Sequence, residues 1–81
     1  MYKPTKLDAA TDLRRSIYAS FSKKKFDDPN FKTFFNHALE ILKKIKVDKT
    51  VLQRIQKSQD KNLEDEKRRE DLLTASILLQ N

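Results

Sequence analysis

His37 is the only histidine in the chain and cysteine is absent, so few groups can serve as nucleophile, base or soft metal ligand. His37 and Glu40 stand three residues apart, a spacing that places both on one face of a helix. Two such groups fall short of the three or four protein ligands that a zinc site requires. Ser16, Ser20, Ser22, Ser58 and Ser76 offer hydroxyls, but serine is a weak nucleophile without an adjacent base. None of them has a partner histidine nearby in sequence or a recognisable elbow around it. Glycine is also absent, and phosphate-cradling loops and dinucleotide fingerprints need it for close backbone approach. The expectation is a protein with no catalytic residue, no cofactor and no metal, and not an enzyme.

What remains is recognition by charge and by apolar surface. The formal net charge is +6, which biases encounters toward acidic partners such as nucleic acid or anionic lipid. Residues 1–26 hold seven bases against two acids, whereas residues 63–81 hold three against five. In the stretch KKKFDDPNFKTFF, Lys23, Lys24 and Lys25 precede Asp27 and Asp28. Between two helices, each cluster stands where the macrodipole favours it. The lysines therefore read as punctuation, and beyond that as an exposed basic knob for a protein partner. Gln53, Arg54, Lys57 and Lys61 form a second cluster at helical spacing. Arginine and glutamine read base edges and lysine neutralises phosphates, so this cluster carries the alternative reading of a DNA-binding, helix-turn-helix-like module with VDKT as its turn. The third cluster, LLTASILL, is apolar nearly all round a helix. Such a tip needs cover from the bundle or from another copy. Leu72, Leu78 and Leu79 are accordingly candidate partner-binding residues, and a homodimer through the C-terminal helix is a candidate assembly.

Helices must carry all three clusters. Ala10, Leu13, Ile17 and Phe21 recur at three and four residues, which predicts a helix over 6–22 with Asp8 and Asp12 near its positive end. Phe31, Phe34, Phe35, Ala38, Leu39, Ile41, Leu42 and Ile45 line one side of a second helix. Asp28 serves as its N-cap and Pro29 as its first residue. These phenylalanines read as core, because no basic residue alternates with them as on a base-stacking platform. Val51, Leu52 and Ile55 mark a short third helix capped by Asp48 or Thr50, and QKSQDKN, residues 56–62, contains no apolar residue and reads as a break. A fourth helix is expected from Leu63, capped by Asn62. There Glu64–Arg68 and Asp65–Arg69 are spaced at four with the acid first, which makes LEDEKRRED a solvated face. In a variant, residues 50–80 form one helix about 45 Å long at 1.5 Å per residue, and its end would need a second copy.

The fold class is all-α: an antiparallel bundle of three to four short helices in one domain spanning 1–81. Its expected core is Leu13, Ile17, Phe21, Phe31, Phe34, Phe35, Ala38, Leu42 and Ile45, closed by Ile55, Leu73 and Ile77. No apolar run exceeds three residues, against the roughly 18 of a membrane span, so no stable membrane insertion is expected. The opening MYKPTKLD lacks the apolar run of a signal peptide, and the expected location is cytoplasmic.

Three stretches also resemble a known family, the small bacteriocin immunity proteins of lactic acid bacteria. DLRRSIYASFSKKKFDDPNFKTFFNHALEILKKIK is similar to the first two helices of that family and the polar loop between them. VDKTVLQRIQKS resembles the start of its third helix, and LEDEKRREDLL the start of its fourth. The resemblance implies a cytosolic, non-enzymatic antiparallel four-helix bundle whose C-terminal half selects the bacteriocin recognised.

Overall fold

Capping decides where each helix begins. The structure, a computed structural model, describes residues 5–80; the signal-peptide reading of residues 1–4 lies outside them. α1 spans Lys6–Ala19 and opens on an extended Thr5. The Asp8 N–H donates to the Thr5 hydroxyl at 3.4 Å, and the Thr5 N–H donates to the Asp8 carboxylate at 2.8 Å. This reciprocal pair satisfies two backbone donors that the first turn leaves open. A 3₁₀ turn, Lys25–Asp27, follows. α2, Pro29–Lys44, starts as expected, with Pro29 first and the Asp28 carboxylate accepting from the Asn30 N–H at 2.7 Å. α3 is Lys49–Ser58, with Asp48 rather than Thr50 at the cap position, and α4 is Asp65–Gln80. Among the described residues there are four α-helices and no strand.

α1 lies in the middle, packed against α2 on one side and α4 on the other, and α3 packs against α4. Cross-helix pairs give the directions. Asp12 meets His37, and Arg15, three residues further along α1, lies over Phe34, three residues back on α2. Likewise Ser20 of α1's end meets Arg69 while Ile17 lies beside Leu73, and Arg54 meets Asp71 while Ser58 meets Arg68. Every packed pair is therefore antiparallel. Leu13 and Leu72 are fully buried, as are the small residues Ala9, Ala38 and Ala75. Of the expected core, Leu13, Phe31, Phe35, Ala38, Leu42 and Ile55 are buried, Ile17 and Ile45 pack against that cluster, and Phe34 is half-buried.

Several expectations are corrected. α1 stops at Ala19 instead of running to residue 22. Ser20 caps its end, and the Ser20 carbonyl is taken by Arg69 at 2.8 Å rather than by a further helical N–H. Past that point the chain swings outward and Phe21 is 65% exposed, not core. On α4 the buried line is Leu72, Ala75, Ser76 and Leu79, so Leu73 and Ile77 do not close the core. Leu72 and Leu79, read as partner-binding, are core residues; of that trio only Leu78 is on the surface. The single long helix over 50–80 does not form. α3 continues through Ser58 and the chain breaks at 59–64, where the Asp60 carboxylate accepts the Asn62 N–H at 2.9 Å, so Asn62 does not cap α4, which starts two residues after Leu63.

Candidate functional site

The residues that organise the surface are Arg68 and Arg69, adjacent at the start of α4. Because α4 runs antiparallel to both neighbours, its N-terminal turn lies against the C-terminal ends of α1 and α3, where carbonyls have no helical donor. The Arg69 guanidinium donates through Nε to the Ser20 hydroxyl at 2.9 Å and through a terminal nitrogen to the Ser20 carbonyl at 2.8 Å. Arg68 donates through Nε to the Ser58 carbonyl at 2.6 Å and lies 3.8 Å from the centre of the Phe26 ring. Each arginine thus caps the negative end of a different helix. LEDEKRRED is not merely a solvated face, since both arginines are half-buried in the body. Nor do the lysines of the KKK run cap α1, whose last turn contains no base.

Lys25 instead reaches Asp65 on α4, Nζ to carboxylate oxygen 2.8 Å, and holds that carboxyl below the ordinary carboxylate range. Its backbone adopts φ 52°, the left-handed region that glycine usually occupies. In a chain without glycine, a lysine takes that position and carries the strain. The Asp28 carboxyl is also held below its ordinary value. The first cause is the neighbouring Ser22 hydroxyl, which stops short of a well-formed hydrogen bond, and the second is the Asn30 N–H.

Between this turn, the first half of α2 and the loop after α3 lies a groove of about 590 Å³. Phe26, Phe31, Phe35 and Leu39 line its floor. Phe26 and Phe31 meet edge-to-face at 5.1 Å, and Phe31 and Phe35 are stacked at 5.4 Å. The three rings are the most exposed members of the core, at 7–8%, because they face this opening. Lys24, Lys25, Lys32, Lys61 and Arg68 stand around it, and among the described residues Asp27 and Asp65 are the carboxylates in its lining. Lys25 is paired with Asp65 and Arg68 with Ser58, whereas Lys24, Lys32 and Lys61 form no salt bridge within 4 Å among the described residues, Lys24 acting on Asp28 only through its charge. The opening therefore carries a net positive charge over an aromatic floor.

A second surface runs along the seam between α1 and α4. Tyr18 (75% exposed), Phe21, Leu73 and Ile77 flank the half-buried Ile17 and form two shallow concavities with Arg14 at one end and Glu66 and Glu70 at the other.

The structure scatters the sequence-derived candidates. Lys24 and Lys25 line the groove, while Lys23 is exposed outside its lining. Arg54 is engaged with the buried Asp71 at 3.3 Å, which leaves Gln53 and Lys57 around a shallow dip on the outer side of α3. Lys61, grouped with them by spacing, belongs to the groove. α3 packs on α4, so α2 and α3 do not form a compact helix-turn-helix unit. His37 contacts the buried Asp12 carboxylate at 2.5 Å, with Arg15 at 3.7 Å from the same group, and so closes off a buried charge. Among the described residues, no group of three His, Cys, Asp or Glu side chains is arranged to hold a metal ion, and no helix is long and apolar enough to cross a membrane. Sequence reasoning missed Lys32, Arg68 and the Phe26 floor. Lys32 falls on the polar side of α2, and nothing in the local sequence signals that the loop after α3 faces it. Neither a protein-family model, nor a curated protein, nor a solved structure matches the chain.

Proposed function

We propose that this is a small, non-catalytic, cytoplasmic binding protein that takes an acidic segment of a protein partner into the groove between α2 and the α3–α4 loop. The observation that carries the reading is the imbalance around that cavity, five cations against two carboxylates over an apolar floor. A peptide that alternates carboxylates with apolar side chains matches both features. A phosphate backbone makes no use of the phenylalanine floor, and it meets Asp27 and Asp65 at the rim. The rings are too deeply set for bases to stack on them. A bacteriocin-immunity role is one specific case, in which the bundle occludes or sequesters its partner. The rival reading is DNA binding through Gln53 and Lys57, exposed together on α3.

Titration with a fluorescent peptide alternating glutamate and leucine, set beside a random DNA duplex, separates the two. The expected result is peptide binding that weakens with salt, is lost in Lys24→Glu/Lys32→Glu and is unchanged in Lys57→Glu. Preferential duplex binding that is lost instead in Lys57→Glu would overturn the proposal in favour of DNA.

A further inference from the structure

From the α1–α4 seam we infer that the chain forms a two-fold symmetric dimer, with the seam of one copy laid against that of another. This rests on different residues from the groove. The exposed apolar side chains of Tyr18, Phe21, Leu73 and Ile77 are contiguous across α1, the turn just past its end and the antiparallel α4, and a patch of this kind marks an interaction surface. Its charge selects the occupant. The chain carries +6 overall, so two copies repel unless they meet on a neutral face. The lining of the seam is such a face, because Arg14 and Arg69 are balanced by Glu66 and Glu70, the last also 3.8 Å from the exposed Lys67 outside that lining.

The charges are also ordered for self-docking. Ile17 and Leu73 lie level with each other. Arg14 is three residues before Ile17 on α1, and Glu70 three before Leu73 on α4, so in antiparallel helices they lie about 4.5 Å to opposite sides of that level. Phe21 shares a concavity with Glu70, and Ile77 one with Arg14, so the four stand at the corners of a rectangle about Ile17 and Leu73. A two-fold axis lying in the face along the Phe21–Ile77 diagonal exchanges the other two corners, which places the Arg14 of one copy against the Glu70 of the other and sets Phe21 and Ile77 each against its own counterpart. An isologous interface requires this self-complementary pattern. α1, fourteen residues long, gives the face a length of about 21 Å. A standard interface takes about 800 Å² per partner, so this one stands at the small end, where association is weak.

Sedimentation of the full chain from low to high micromolar concentration tests the inference. Wild type is expected to pass from monomer to dimer, and Leu73→Asp/Ile77→Asp to stay monomeric with unchanged helical circular dichroism. Arg14→Glu and Glu70→Arg each weaken association by about five- to tenfold through a like-charge contact, and the double exchange restores it. Lys24→Glu/Lys32→Glu leaves the dimer intact, which keeps this result separate from that of the groove. A wild type monomeric throughout, a dimer that survives the Leu73/Ile77 change, or an exchange that fails to restore association overturns the inference. Should the aspartate variant melt early, the surface pair Arg14 and Glu70 decides alone.

Discussion

Replacing Arg69 with alanine removes the clasp between α4 and the end of α1, and its cost can be worked from the contacts. Arg69 makes two charge-assisted hydrogen bonds to Ser20, at 2.9 and 2.8 Å, and its guanidinium lies 4.2 Å from the Phe21 ring centre. A hydrogen bond to a charged group contributes about 1.5–3 kcal/mol net, and a stranded buried acceptor costs about 1–3 kcal/mol. Ser20 is fully buried, so its carbonyl is stranded when the guanidinium goes. The two bonds share one side chain and are not additive, and water entering the gap recovers part of the loss. The expected cost is about 2–4 kcal/mol, out of roughly 4–12 kcal/mol for a chain of this length. At about 4–8 °C per kcal/mol, thermal unfolding followed by circular dichroism should show a fall of about 8–32 °C. Arg69→Lys should lose about half as much, since an ammonium cannot form the fork. Lys67→Ala is the internal control. Its pair with Glu70 is 3.8 Å long and 68% exposed on both sides, and such pairs contribute about 0–1 kcal/mol. If Arg69→Ala unfolds within half a kcal/mol of Lys67→Ala, the helix-end clasp is not what holds α1 to α4 and the reasoning fails.

Three further outcomes follow from single residues. At position 25, glycine should be more stable than alanine by about 0.5–1 kcal/mol, because both lose the Asp65 pair but only glycine accepts φ 52° without strain; equal urea midpoints would remove the strain argument. Leu72→Ala should cost about 2–5 kcal/mol in denaturant melts and Leu73→Ala under about 1 kcal/mol, since the first is fully buried and the second 46% exposed; the reverse order would mean that α4 is rotated. The Asp28 and Asp65 carboxyls are held below 3.8 when folded, so the unfolded chain binds protons first as pH falls. Their stabilisation is complete above the ordinary carboxylate value and is lost as pH drops through the lowered one. Asp65→Asn should flatten the acid limb of a plot of urea midpoint against pH, and an unaltered limb would argue against the Lys25 contact.

Much of the helical layout is legible without the fold because its causes are local. Thr5 and Asp8 close a capping box within four residues, Asp28–Pro29 starts α2 within two, and the phenylalanine spacing orients α2 by itself. The site is legible only in fragments. Lys24 and Lys25 announce a basic cluster, but the groove gathers residues from the turn, from α2 and from both sides of the α3–α4 loop. No spacing rule links Lys32 to Lys61.

By itself, then, the sequence determined an all-helical chain, the starts of its first two helices and the buried face of α2, since capping and the 3.6-residue period act within a few residues. Tertiary structure alone decided which leucines of α4 turn inward, because that helix is apolar nearly all round its tip and any of its faces could have met the core. It also decided that Phe21 is exposed and that Arg69 is a clasp. The partner that takes the Ser20 carbonyl lies 49 residues away, and only antiparallel packing brings a helix start to a helix end.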